Sequence, residues 1–460
     1  MSNGVRQYAP TSMAVITPKP MSGFPELMPE EQIVFNRCFN IIRSNYERFG
    51  FVPIETPSVE RKEILTSKGA DDKEIYALSR LAAGPDESSE TEFALHFDLT
   101  VPLARYVAMH KEKLVFPFRR YQMQKVWRGE RPAKGRYREL YQCDIDVIGR
   151  GSVALLNDAE IPSIIYRIFS EMGIGKFVIR LNNRRVLQGF YTYLGVPSEK
   201  VPFALRSVDK LEKIGRDKVT IELVEKLGLS PEVAQAILDL ASNAAPTDEV
   251  LGLLQDLPMM DNALFAQGVR ELGTVVQGVR GLGVPDEAFK VDLSIARGLG
   301  YYTGTVYETR LIGHEDLGSI CSGGRYDDLA SYFTTEKLPG VGISIGLSRL
   351  VFALLERGVL KADTPTTAQV LVTALDSAQM SAYLKIAAEL RDAGINTEVY
   401  LEKGRLGDQL KYAGRKGHRV ALIMGESEFA ANQVKAKLLA TGEERVLDRA
   451  NLVDQLKALI

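Results

Sequence analysis

FRRYQMQKVWRGERPAKGRYRELYQCDIDVIG, Phe118 to Gly149, is the stretch on which the reading of this chain turns. Its second half alternates Tyr141, Cys143, Ile145 and Val147 with polar residues, the two-residue period of a half-buried strand. Its charge is one-sided: from Lys111 to Arg138 there are ten Lys and Arg against two acids, Glu112 and Glu130. Aromatic residues are interleaved with those cations, a pattern that points to contact with a polyanion. Arg128 stands near its centre, and a guanidinium is permanently charged and matches phosphate oxygens two at a time.

Further along, GVGISIGLSRLVFALLERG alternates Val341, Ile343 and Ile345 as a strand. A helix then takes over, with Leu347, Leu350, Val351 and Leu354 on one face and Arg349 near its start. Before it, RGLGYYTG, Arg297 to Gly304, sets an arginine and two tyrosines among glycines, too polar and too pliable for ordinary core.

Towards the N-terminus, PEEQIVFNRCFNIIRSNYERFGF reads as a helix with Ile33, Phe39 and Ile42 or Tyr46 as its stripe and Gly50 as its stop. VPIETPSVE reads as a short strand broken at Pro57, and two more strands flank a polar loop at Ala82–Thr91. Phe177–Asn183 reads as another strand. From Arg184 to Phe289 helical spacing dominates, which predicts a helical insertion in a strand-rich domain. KADTPTTAQ, around Asp363, has linker composition. Beyond it, strands at Val370–Thr373, Asn396–Tyr400 and Arg419–Met424 alternate with helices, including one built on Tyr383, Ile386, Ala387 and Leu390. That alternation predicts a small α/β domain.

Composition bounds the function. At 460 residues, 45% apolar and 25% charged, the chain is an ordinary globular protein with room for two or three domains. No apolar run reaches membrane-span length and the leader has no secretory h-region, so a cytoplasmic protein with no membrane contact is expected. Cys38, Cys143 and Cys321 are scattered, which speaks against disulfides and CxxC zinc sites; none of the four histidines forms HExxH. No resident metal site is expected. Neither GxxxxGK[ST] nor GxGxxG occurs, so a nucleotide would have to be held by arginines instead.

Together these segments resemble the class II aminoacyl-tRNA synthetases. The helix and strand ending at Pro57 resemble motif 1, the dimer-forming element. Phe118–Gly149 resembles motif 2, two antiparallel strands joined by a loop, and GVGISIGLSRL resembles motif 3. RGLGYYTGTVYE and SGGRYDDL are similar to the two signatures of the histidyl-tRNA synthetase family, and the resemblance spans essentially the whole chain.

The resemblance implies an α+β fold: an antiparallel-sheet catalytic core in residues 1–183 and 290–362, a helical insertion in 184–289, and a C-terminal α/β anticodon-binding domain in 363–460. It implies ATP-dependent ligation of L-histidine to its tRNA through a histidyl-adenylate, with Mg2+ on the pyrophosphate oxygens, by a homodimer. Tyr302 and Asp146 would take the imidazole, with Tyr301 and Tyr326 lining the pocket. Phenol and carboxylate oxygens suit a ring whose two nitrogens each need a partner, and reject side chains that leave those oxygens unpaired. Asp98 and Thr100, read as alternate positions of one strand, would join Gln142 around the α-amino group; many members carry glutamate where Asp98 stands. Arg128 and Arg297 would bracket the α-phosphate, Arg349 would hold the γ-phosphate, and Arg136 would contact ATP or the tRNA acceptor end. Ala133 replaces a glutamine common in bacterial members. The rival reading is the histidine-binding regulatory subunit of ATP phosphoribosyltransferase, which shares the core fold without charging tRNA.

Overall fold

The computed structural model describes residues 16–67, 74–80, 92–131, 135–296, 302–328 and 330–460. They fall into two compact units. One comprises Phe51–Pro162 and Val178–Arg349 with the chain up to Glu26; the other comprises Leu27–Gly50, Ser163–Phe177 and Leu350–Ile460.

The strands, in chain order, are β1 Val52–Pro53, β2 Val59–Arg61, β3 Ala77–Leu78, β4 Phe93–Leu95, β5 Phe118–Trp127, β6 Glu139–Ile148, β7 Phe177–Asn183, β8 Phe289–Val291, β9 Tyr302–Leu311, β10 Cys321–Tyr326, β11 Gly340–Gly346, β12 Val370–Val372, β13 Thr397–Val399, β14 Val420–Ile423, β15 Gln433–Leu438 and β16 Glu444–Asp448. The first unit is organised by an eight-stranded sheet ordered β1-β5-β6-β11-β10-β9-β7-β8, beside a small sheet β2-β4-β3. Its centre, β5 to β9, is antiparallel, whereas β1–β5 and β7–β8 run parallel.

Strand periodicity gives this sheet two faces of opposite character. On one, Cys143, Ile145, Val147, Val341, Ile343 and Ile345 are buried apolar residues. On the other, the register sets Arg120 opposite Asp146, Gln122 opposite Asp144 and Gln124 opposite Gln142. Across the next pair, Asp146, Asp144 and Gln142 face Gly342, Ser344 and Gly346. The expectation of a half-buried β6 is corrected here: Gln142, Asp144 and Asp146 are 8%, 2% and 5% exposed, so its polar face is covered as fully as its apolar one. Local alternation reports which residues share a face but not what non-local chain lies over it.

Close approach explains two glycines of this sheet. A Cβ on Gly342 would lie 2.3 Å from Asp146 Oδ1, and one on Gly324 would lie 2.9 Å from Tyr302 Cδ1. Between residues 184 and 289 the chain is largely helical, and these helices belong to the first unit. The helices Arg184–Tyr193 and Ala263–Gly281 pack closely: a Cβ on Gly268 would come within 2.6 Å of Val186 N.

In the second unit the helix Pro29–Arg48 starts with Pro at its first turn, its Glu31 carboxylate accepts the Met28 N–H at 2.9 Å, and Gly50 at φ 75° ends it. Its buried stripe is Val34, Cys38, Ile42 and Tyr46, with Phe35 and Asn45, whereas the expected Ile33 and Phe39 are only half-buried. The C-terminal sheet, β13-β12-β14-β15-β16, is parallel over its first three strands. The antiparallel pair β15–β16 was not anticipated from the sequence. Tyr383, Ile386, Ala387 and Leu390 are buried in this unit's core as expected.

Candidate active site

The polar face of β5, β6 and β11 holds a chain of buried hydrogen bonds and charges. Asp146 lies beneath two groups: Tyr326 Oη donates to its Oδ1 at 2.8 Å, and Arg120 Nη2 stands 2.5 Å from its Oδ2. Tyr326 also packs with Ala104, Tyr302 and Phe333. Burial raises the Asp146 pKa, and Arg120 and the Tyr326 hydroxyl offset only part of that rise. Burial, and then the Asp146 charge, push the Tyr326 phenol well up, so it is a donor throughout the physiological range.

One step along the strand, burial drives Asp144 up to about 7, against the pull of Arg120 and a hydrogen bond from Ser344. Asp146 and Asp98 raise it further. Gln142 comes next: its Nε2 donates to Ser344 Oγ at 2.6 Å, and its Oε1 accepts from Arg128 Nη2 at 3.3 Å. Arg128 Nε also donates to Phe97 O at 3.1 Å. Gln142 thus joins the carboxylate pocket to the arginine.

Asp98 and Thr100 do not sit on a strand. Strand β4 ends at Leu95, Asp98 lies in the turn after it, and Thr100 opens the helix Thr100–His110. Asp98 Oδ1 accepts the Val101 N–H at 3.2 Å, holding the first turn of that helix, and the side chain is 5% exposed. Capping by Asp three residues ahead of a free N–H wins over strand continuation. His96 contributes structure: its Nε2–H donates to Lys125 O at 2.7 Å and its ring stacks on Trp127. Burial lowers its pKa, keeping it neutral.

A cleft of about 390 Å³ is lined by Arg128, Arg136 and Arg349 together with Glu74, Glu130, Gly135, Tyr137 and Leu140. Arg136 is two-thirds exposed, with Glu130 4.0 Å away, and the Arg349 guanidinium donates to Leu317 O. Three of the four arginines expected to contact ATP therefore line one cavity. The fourth, Arg297, and Tyr301 lie outside the described residues.

The basic run is not a bare polyanion surface. Lys111 pairs with Glu336, Arg119 with Glu160 and Lys125 with Glu139, all within 3.0 Å. Sequence reasoning missed Arg120, although its place at even spacing with Gln122 and Gln124 was a usable signal. It also missed Arg325, which points to the other face and holds buried Asp158 with Nη2–Oδ2 at 2.5 Å. Cys38, Cys143 and Cys321 are buried free thiols whose pKa values burial raises, which suits packing and not chemistry. Among the described residues no helix is long and apolar enough to cross a membrane.

The profile of the family described as histidyl-tRNA synthetase matches residues 23–350, and that of the anticodon binding domain matches residues 369–459. The histidine–tRNA ligase of Nostoc sp. is 48% identical over 95% of this chain and 96% of its own. That of Xanthomonas oryzae pv. oryzae is 46% identical over 96% and 98%. A crystal structure of the Nostoc histidyl-tRNA synthetase superposes with a TM-score of 0.90, covering 97% of this chain and 100% of that one. A Bacillus halodurans structure titled as an ATP phosphoribosyltransferase regulatory subunit/histidyl-tRNA synthetase shares the fold at 18% identity, with a TM-score of 0.70 over 86% of this chain and 96% of that one.

Proposed function

The chain belongs to the histidyl-tRNA synthetase family, and from that premise we propose how its sheet face and its arginine cleft divide the work. It is a histidine–tRNA ligase of the class II aminoacyl-tRNA synthetases, with ATP as substrate and a C-terminal anticodon-binding domain. The regulatory-subunit alternative is not favoured, because relatives at 46–48% identity over nearly the full length are ligases.

In this reading Asp146 accepts one imidazole N–H and Tyr302 meets the other nitrogen, with Tyr326 fixing Asp146 and Tyr301 closing the pocket wall. Asp98, Thr100 and Gln142 receive the α-ammonium. Arg128, with Arg297, steadies the α-phosphate while the histidine carboxylate attacks it; Arg349 holds the γ-phosphate end. Arg136 guides ATP or the tRNA acceptor end. The bond formed is carboxylate oxygen to α-phosphorus; the bond broken releases pyrophosphate, and the tRNA ribose then takes the histidyl group from AMP. Rate comes from positioning and from guanidinium charge placed where phosphate charge moves.

Mg2+ fits this cleft, since Glu74 and Glu130 offer hard carboxylate oxygens and Mg2+ commonly uses one or two carboxylates plus phosphate oxygens. When bound it would neutralise charge on the leaving pyrophosphate. Residues 1–183 and 290–362 would form the catalytic core, 184–289 its insertion and 363–460 the anticodon-binding domain. The enzyme would act as a homodimer through the helix Pro29–Arg48 and the strand after it, in the cytoplasm, with histidine tRNA as partner.

The observation that carries the site reading is the 3.3 Å link from Gln142 to Arg128, which puts the acid-and-phenol face next to the arginine cleft. The test is ATP–pyrophosphate exchange by the Asp146→Asn variant. A rise in the KM for histidine with ATP affinity retained is expected; an unchanged histidine KM would overturn the assignment.

A further inference from the structure

Arg120 is one of the largest fully buried side chains among the described residues, with 0% exposure. Its neighbour Arg119 faces the other way and pairs with Glu160. Strand alternation therefore turns Arg120 alone, of the two, towards the pocket floor. There its Nη2 lies 2.5 Å from Asp146 Oδ2 as an ion pair, while none of Nε, Nη1 and Nη2 has a hydrogen-bond partner of good geometry among the described residues. A buried guanidinium with one carboxylate partner and unmet donors is a costly arrangement, and such pairs are commonly replaceable by apolar residues without loss of stability. Stability alone gives little reason for this one.

We propose that Arg120 is a positioning residue for histidine selection, fixing the Asp146 carboxyl and favouring its charged form so that its remaining lone pairs receive the imidazole N–H. The proposal rests on the assignment of Asp146 to the imidazole. Around Asp146 stand Arg120 from β5, Tyr326 from β10 with Tyr302 of β9 beside it, and Asp144 on its own strand, which Asp98 from the turn before Thr100 also influences; β11 sets Gly342 opposite Asp146. Arg120 is the one cation in that set, set against three carboxyls. Without it, burial would favour the protonated form of Asp146 more strongly. A protonated carboxyl brings its own donor to the ring, so the pocket would no longer demand one donor and one acceptor from its ligand. Tyr326 and Arg120 hold one oxygen each, which also fixes the carboxylate plane.

The test is histidine-dependent ATP–pyrophosphate exchange from pH 6.5 to 9 with the full chain. Arg120→Met is expected to raise the histidine KM ~10- to 100-fold, the range for losing a bond to a buried charge, and to leave the ATP KM within about twofold. The defect should shrink as pH rises, because alkali restores the Asp146 charge that Arg120 normally favours. Arg120→Lys keeps the cation and should keep the pH profile of the parent. In the Asp146→Asn background either Arg120 substitution should change the histidine KM no further, since both act through one carboxylate.

A pH-independent defect, parallel loss of ATP affinity, or additive effects in the Asp146→Asn background would overturn the proposal. If Arg120→Met does not fold, the Arg120→Lys and Asp146→Asn cycle decides by the same additivity criterion. Should Asp146→Asn itself leave the histidine KM unchanged, the site reading fails and not merely the role of Arg120.

Discussion

Replacing Asp144 by Asn offers a test of the electrostatics of the sheet face that does not depend on catalysis. Asp144 is 2% exposed, and burial raises its carboxyl pKa to about 7 in the folded chain. An unfolded Asp titrates near about 3.9. Below both values the carboxyl is neutral in both states and costs nothing. As pH rises from about 4 to about 7 the unfolded chain releases its proton and the folded chain keeps it, so stability falls over that interval. About three powers of ten in proton affinity correspond to a loss on the order of 4 kcal/mol, complete by about pH 8. Asparagine cannot ionise, so Asp144→Asn escapes the loss. It also brings an N–H2 across from Gln122, its register partner, whose Oε1 has no hydrogen-bond partner among the described residues. Urea unfolding of both proteins at pH 4.5, 6 and 8 should show the variant gaining on the parent by several kcal/mol as pH rises. A difference that stays flat across pH, or one that grows towards acid, would refute a neutral, buried Asp144.

Other perturbations read separate parts of the molecule. Tyr326→Phe removes the 2.8 Å bond to Asp146 and should raise the histidine KM ~10- to 100-fold in pyrophosphate exchange, with the ATP KM unchanged. Arg349→Ala should do the reverse, weakening ATP about tenfold or more while histidine affinity holds. Arg325→Met strands the buried Asp158 charge and should cost ~3–5 kcal/mol in urea unfolding; a loss below about 1 kcal/mol would show the pair to be dispensable.

Much of this architecture could be read along the chain because its signals are local. The helix Pro29–Arg48 has its proline, early acids and terminal glycine, and β11 runs into the helix at Leu347 where alternation gives way to helical spacing. The resemblance likewise led to Arg128, Arg136 and Arg349, which meet in one cleft. What escaped was set by distant chain. Nothing near β6 reveals that its polar face is covered, and the short strand before Asp98 yields to a helix because Asp98 caps it. Arg120 looked like one cation in a basic run; only the register that places it opposite Asp146 gives it a distinct role. The same holds for Arg325, which the signature SGGRYDDL groups with Tyr326 although strand alternation sends the two to opposite faces.

The most direct measurement is a crystal structure with histidine and a non-hydrolysable ATP analogue bound together. The imidazole should lie between Asp146 and Tyr302, the α-phosphate against Arg128, and the γ-phosphate near Arg349. A histidine ring seated away from Asp146, or triphosphate outside the arginine cleft, would contradict the account.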